Sequence, residues 1–447
     1  MQKAARTFIA LALLAVPAAR AAGQLDTVTP ASLPFSFQEY RLRNGLRVVL
    51  SADDRLPLVT VAVGYSAGTL RERPGQEGLA YLLENLMFQG SENINPLQHI
   101  AFIQKVGGEL NATTTPDKAV FYETLPSNQL ALALWLESDR MKSLAITPAS
   151  ILRTRSELVS EHRARLRSDP YLSTFALFDT LLFPDDLYGH PLIGDGLRMD
   201  GLTETEILEF HRTYYVPNNA VLCIVGNIDA ARTRELVARY FDSIPPGLDS
   251  PTPPRPAFKR QSDAVVRDVR IPAGSAGFQM GFRFFPLQRG EADCLRILEY
   301  ILLEGETSRL RSRLLKRDLT ARYLTGALDE RLSVATLKVF CLATNAVMVA
   351  RSEKAILSEI DRLKTNAVSP DELGRARRRY KADYLERLST MLGRARYLVD
   401  AWASGKSLAA LDGELNGVLG VTPQALTSFV SRYFIPQNRV VLRFGPQ

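Results

Sequence analysis

Apolar positions along this chain switch between a period of about two and a period near 3.6, and the switches mark its elements. Asn44-Gly45, between Leu42 and the run Leu46–Leu50, predicts a tight hairpin turn leading into a strand. The runs Val59–Tyr65 and Ala119–Leu125 read as further strands. Helical spacing covers 78–88, 128–144 and 148–167, and later 291–303, 309–315, 349–365 and 370–388. Strands and helices mixed in this way, without strict β-α-β alternation, predict an α+β fold.

The pattern repeats itself. Phe210-His211-Arg212-Thr213-Tyr214-Tyr215-Val216-Pro217-Asn218-Asn219 runs into Ala220–Gly226, and Phe429-Val430-Ser431-Arg432-Tyr433-Phe434-Ile435-Pro436-Gln437-Asn438 runs into Arg439–Gly445. Phe, Tyr, Pro, Asn and Gly recur at one offset of 219 residues, as do Thr203 and Thr422. Each copy reads as a helix end, a Pro-Asn turn and a buried strand stopped by Gly. Two homologous halves explain this better than chance does. Six prolines between 245 and 256 exclude helix or central strand there and predict a stiff linker. The expected layout is a leader over 1–21, one domain over 36–243, the linker over 244–256 and a second domain over 257–447.

Composition narrows the class. With 447 residues, 46% apolar and 23% charged, the chain is neither disordered, collagen-like nor a polytopic membrane protein. Lys3 and Arg6 precede the apolar run Phe8–Val16, and Ala19-Arg20-Ala21 offers a cleavage site, so 1–21 reads as a secretory signal peptide. Losing its three cations (Lys3, Arg6, Arg20) lowers the net charge from +7 to +4, too little to argue for nucleic acid. No other segment has the ~18 apolar residues of a membrane span. The mature protein is therefore expected to be exported, periplasmic or extracellular. Cys223, Cys294 and Cys341 stand apart in apolar runs and read as buried hydrophobes.

Candidate chemistry concentrates in Gly78-Leu79-Ala80-Tyr81-Leu82-Leu83-Glu84-Asn85-Leu86-Met87-Phe88-Gln89-Gly90-Ser91. This segment resembles the inverted zinc-binding helix of the pitrilysin-type (M16) metallopeptidases, G-x-A-H-x-x-E-H-x-x-F-x-G-[ST]. Both histidine positions differ, being Tyr81 and Asn85. Two histidines at i and i+4 share a helix face and grip one zinc, with the intervening Glu as general base. In the family a glutamate about 75 residues beyond the second histidine is the third ligand. Here 75 residues separate Asn85 from Glu161, in Glu157-Leu158-Val159-Ser160-Glu161-His162-Arg163. The base position (Glu84) and the carboxylate ligand position (Glu161) persist, while both imidazoles are gone. A phenol titrating near ~10 and a neutral amide are poor replacements. His99, His162, His190 and His211 all fall outside the two ligand positions.

The resemblance extends from about Phe37 to Gly445. In the family, the stretch matched by Asn111-Ala112-Thr113 and by Phe121-Tyr122 accepts an extended peptide by strand addition. Some members also place an Arg, and a Tyr seven residues later, against a neighbouring active site. Here Tyr323 is preceded at that distance by Lys316, with Arg317 next, so Lys316/Arg317 and Tyr323 are a candidate cross-subunit clamp. The resemblance thus implies half of a clamshell chamber. It implies a subunit with no intact catalytic set and no metal or cofactor of its own, paired with a zinc-bearing homologue and helping to bind extended peptide. A non-enzymatic scaffold of an envelope complex is one alternative, and an active zinc metalloendopeptidase with an atypical metal site is another. Gly64-Tyr65-Ser66-Ala67-Gly68 also fits the nucleophile elbow of serine hydrolases, but a charged loop closed by Pro74-Gly75 follows where that motif needs a helix. Asn111-Ala112-Thr113 is in addition a formal glycosylation sequon.

Overall fold

The computed structural model describes residues 26–28, 33–184, 188–193, 198–248, 258, 261–288 and 290–446. The expected leader and most of the expected linker, 249–256, lie outside those residues. Seven strands form the first sheet: β1 (Asp26–Val28), β2 (Phe37–Arg41), β3 (Arg47–Ala52), β4 (Leu58–Tyr65), β5 (Glu109–Thr114), β6 (Ala119–Pro126) and β7 (Ala220–Gly226). They lie in the order β1-β2-β3-β7-β4-β6-β5. The Asn44-Gly45 turn joins β2 to β3 as expected: Gly45 takes φ 88°, and the Asn44 amide donates to the Phe241 and Ile244 carbonyls. The second sheet holds β8 (Val265–Ile271), β9 (Ala276–Phe284), β10 (Tyr323–Glu330), β11 (Ala335–Ala343) and β12 (Arg439–Pro446), in the order β10-β11-β9-β12-β8.

Without the β1–β2 arm the two sheets have one topology. The order β3-β7-β4-β6-β5 reappears as β8-β12-β9-β11-β10. In each, the first pair is parallel and the other three are antiparallel. The first half carries α1 (Leu79–Leu86), α2 (Gln98–Lys105), α3 (Leu130–Lys142), α4 (Pro148–Ser168), α5 (Leu172–Leu182), α6 (Glu204–Tyr214) and α7 (Ala230–Phe241). The second carries α8 (Glu291–Leu302), α9 (Arg309–Arg311), α10 (Ala346–Thr365), α11 (Pro370–Ser389), α12 (Met391–Ala403), α13 (Glu414–Leu419) and α14 (Pro423–Tyr433). The segment 309–315, expected to be an ordinary helix, keeps α geometry only through Arg311 before widening into a π-helical turn, Ser312–Arg317.

The 219-residue echo survives atom by atom. Thr203 caps α6 by accepting the Glu206 N–H, and Thr422 caps α14 by accepting that of Ala425. The Asn219 amide donates to the Tyr214 carbonyl at 2.8 Å, and that of Asn438 to Tyr433 at 2.9 Å. Both bonds close off a helix C-terminus.

The halves interlock. One face of the first sheet (Val48, Leu50, Val61, Val63, Phe121, Leu222) packs under its own helices. The opposite face (Val49, Ala62, Val221, Cys223, Val225) joins Leu398 and Val399 of α12, from the second half. Reciprocally, Phe178 and Leu182 of α5 join Val440 and Leu442 of β12. Glycines receive both helices: a Cβ on Gly64 would lie 2.4 Å from Val399, and one on Gly281 2.9 Å from Phe178. Ion pairs Asp53–Arg394 (2.8 Å) and Lys118–Asp400 (2.6 Å) bind α12 to the first half. Among the described residues no helix is long and apolar enough to cross a membrane.

Candidate functional site

The helix of interest, α1, is built from its buried side. Leu79, Ala80, Leu82, Leu83 and Leu86 face the core, leaving Tyr81, Glu84 and Asn85 together on the half-buried side, as their spacing requires. Gly78 enters with φ 93° in the left-handed region that favours glycine. Glu72 then caps the helix, its two oxygens accepting the N–H groups of Gly78 (3.1 Å) and Ala80 (2.7 Å). Burial raises the pKa of Glu72 to about 8 against the pull of those two bonds.

Tyr81 feels the charges of Glu84 beside it and of Glu161 on α4, so α4 brings Glu161 to the side of α1 that carries Tyr81, Glu84 and Asn85. Burial first, and then the two carboxylates, raise the Tyr81 phenol above its ordinary value. That disfavours the phenolate a metal would need. The Asn85 amide nitrogen donates to the Tyr81 carbonyl at 2.9 Å, and the oxygen that this leaves to offer a metal is neutral and a weak ligand beside imidazole. Glu84 is raised by burial and drawn down by the hydroxyl and N–H of Thr114 on β5. That approach falls short of good geometry, because Glu84 Oε2 and Thr114 Oγ1 are each buried without a hydrogen bond among the described residues. Glu161 lies at the exposed surface of α4, paired with Arg165 at 2.5 Å. A donor set of one neutral phenol, one neutral amide and one solvent-screened carboxylate does not fit zinc.

The expected peptide-binding residues divide. Asn111, Ala112 and Thr113 lie on β5, the edge strand of the first sheet. The Asn111 side chain already accepts the N–H of Ala112 at 2.8 Å. Phe121, expected to touch substrate, is instead fully buried: β6 alternation turns its ring inward against Tyr65 and Phe88, under the Arg140 guanidinium at 4.4 Å. Tyr122 points to the other face, beneath Arg396 of α12. In the second half Tyr323 is half exposed with its ring against Phe340. Lys316 is held by Glu306 at 3.0 Å and Arg317 by Asp318 at 2.9 Å. No hydrogen bond or ion pair joins either base to Tyr323 among the described residues.

The elbow motif is a packing feature. Ser66 leads only into the short 3-10 turn Thr69–Arg71, and its Oγ accepts from Arg71 at 3.2 Å. Sequence reasoning missed a buried charge network behind α1. His99 pairs with Glu123 at 3.0 Å, and Glu137 is chelated by Arg140 through two hydrogen bonds. Ligand atoms of His99, Glu123 and Glu137 lie within 4.8 Å of one another, but the guanidinium already neutralises Glu137. Charged Glu137-x-x-Arg140 inside the apolar run Leu130–Met141 was the available signal.

Comparison with known proteins bears on the family and the fold. The family model described as insulinase (peptidase family M16) matches residues 47–193, and the peptidase M16 inactive domain matches 201–380. The latter runs from the end of the first half into the second and does not include α1, so its name says nothing of that helix. The zinc protease PqqE of Helicobacter pylori is 25% identical over 357 residues, covering 78% of this chain and 79% of the relative. The crystal structure of a protease from Helicobacter pylori superposes with a TM-score of 0.87 at 22% identity, covering 92% of this chain and 99% of that one. The periplasmic protease PqqL of Escherichia coli gives 0.76 at 17% identity, with 93% of this chain matching only 48% of that one. At such identities the two structures speak for the fold.

Proposed function

The chain belongs to the M16 peptidase family, and we propose that within it this protein is an exported, non-catalytic subunit that pairs with a zinc-bearing homologue and helps hold extended peptide. The observation that carries the reading is the state of α1: its two ligand positions hold a phenol pushed toward its neutral form and a neutral amide, neither a match for imidazole. Pairing draws support from the PqqL chain, which is about twice the length that this chain matches. Peptide binding draws support from the edge position of β5 alongside Glu84. In this reading zinc belongs to the partner, the two domains form one half of a clamshell, and residues 1–21 direct export.

Metal analysis of the purified mature chain, together with a peptide-cleavage assay, tests the proposal. Less than a tenth of a zinc per chain and no chelator-sensitive cleavage are expected. About one zinc per chain, with cleavage lost in chelator, overturns it in favour of an atypical metallopeptidase.

A pure scaffold is the second reading. It is favoured by Lys316 and Arg317 being held in local ion pairs and by Asn111 occupying an edge N–H of β5. Tyr323→Phe and Lys316→Ala, assayed on the partner's turnover with assembly intact, separate the two. Unchanged turnover supports the scaffold.

A further inference from the structure

The duplication gives the second half a counterpart of the α1–β5–α4 corner. α8 follows the left-handed Gly290 as α1 follows Gly78. β10 is the edge of its sheet as β5 is, and α11 opens on Ser369-Pro370 as α4 opens on Thr147-Pro148. Glu299 of α8 accepts the N–H of Leu328 on β10 at 2.7 Å, much as Glu84 is drawn to that of Thr114. In this second corner lies a cleft of about 470 Å³, bounded by α8, β10, α11 and α12 and reaching Asp117 and Lys118 of the first half.

Four tyrosines form its wall. The Tyr300 ring meets Tyr380 edge-on at 5.4 Å, Tyr380 stacks on Tyr384 at 6.2 Å, and Tyr384 meets Tyr397 at 5.9 Å. The charges of the wall are committed. Arg296 binds Glu330 with two nitrogens and reaches Asp293 and Glu414, Lys406 holds Glu414 and Lys118 holds Asp400. Tyr384 and Tyr397 are linked at 3.1 Å, and Tyr397 donates to Glu414 at 2.6 Å. Two donors are left over. The exposed Arg387 makes no ion pair or side-chain hydrogen bond among the described residues, and the Tyr380 hydroxyl makes none either. Positions 380, 384 and 387 share one face of α11. Glu299, the acid that feels the charge of Arg387, already accepts the N–H of Leu328 at 2.7 Å.

A spare guanidinium and a spare phenol above a wall of rings suit one ligand chemistry. We propose that this cleft binds a carboxylate carried on a flat apolar body, the carboxylate on Arg387 and Tyr380 and the body against the tyrosine rings. The cleft falls in the range of small-molecule sites, about 300–1,000 Å³. Two sources share this chemistry: the C-terminus of a peptide ending in an aromatic residue, and a free aromatic acid. The site does not depend on how the first half works, and its test involves no metal.

Titration calorimetry on the full chain would use three probes: a tripeptide ending in phenylalanine with a free carboxylate, the same tripeptide amidated, and phenylpropionate. At least one free acid should saturate a single site. Arg387→Gln should weaken that acid about tenfold and leave the amidated peptide unchanged, since one charge-assisted pair is removed. Tyr380→Phe, which keeps the ring, should weaken it by a smaller factor. Tighter binding by the peptide acid identifies a peptide C-terminus, and equal or tighter binding by phenylpropionate identifies a free acid. Amide and acid binding equally, an Arg387→Gln protein binding acid like the wild type, or no binding by either acid would overturn the proposal.

Discussion

Gly64 is the point at which a packing role and a catalytic motif give opposite expectations. A Cβ there would lie 2.4 Å from Val399 Cγ1 and 3.3 Å from Val221 Cγ1, and Val399 is fully buried. Gly64→Ala must therefore push α12 off the first sheet or force Val399 off its rotamer, costing about 1–3 kcal/mol as overpacking does. Val399→Ala alone removes two methyl groups, about 0.8 kcal/mol each plus a cavity term, for about 2 kcal/mol in all. Together the changes relieve each other, because the new methyl fills part of the space that the valine leaves. The double variant should be no worse than either single one, a favourable coupling of about 2–3 kcal/mol. Urea unfolding followed by circular dichroism on the four proteins measures this. Additive losses, or a neutral Gly64→Ala, would refute the interlock of the halves as the reason for glycine at this position.

Other consequences follow from the same contacts. Glu137→Gln leaves Arg140 as a buried, half-paired cation and should cost about 3–5 kcal/mol in urea unfolding, whereas replacing both residues with apolar ones of similar volume should cost much less. The Arg55 hydrogen bonds first, and the Arg394 charge after them, hold Asp53 down at about 2 from its ordinary 3.8. A lowered carboxylate contributes stability above its unfolded pKa and loses it as pH falls through the folded one. About 2 kcal/mol should thus be present at pH 5 and vanish between pH 4 and 2, and Asp53→Asn should flatten that part of the acid-unfolding curve. Restoring the ligands with Tyr81→His and Asn85→His should create a site that takes up about one zinc per chain by metal analysis. Absence of zinc in that variant would mean that α1 and α4 no longer hold metal spacing.

What could be read from the chain alone follows from where each signal is made. The duplication was legible because its marks are local: a threonine cap, a Pro-Asn turn and a glycine stop each act within a few residues and recur in both halves. The second sheet was harder. β9 is buried along its whole length yet contains Gln279 and Arg283, which break the apolar run. Their partners, the Thr174 hydroxyl at 2.7 Å and the Leu182 carbonyl at 2.9 Å, come from α5, about a hundred residues away. The same holds for α12, whose buried face includes Arg394 because Asp53 waits on the other half. For the site, spacing located Tyr81, Glu84, Asn85 and Glu161 but could not show that Phe121 turns inward. Nor could it show why α1 keeps its shape with both imidazoles gone. The helix is held by five buried apolar side chains and by the two backbone bonds of Glu72, none of which involves a metal. The helix therefore needs no imidazole at 81 or 85 to keep its shape, and the Asn85 side chain adds a bond to the Tyr81 carbonyl of the same helix.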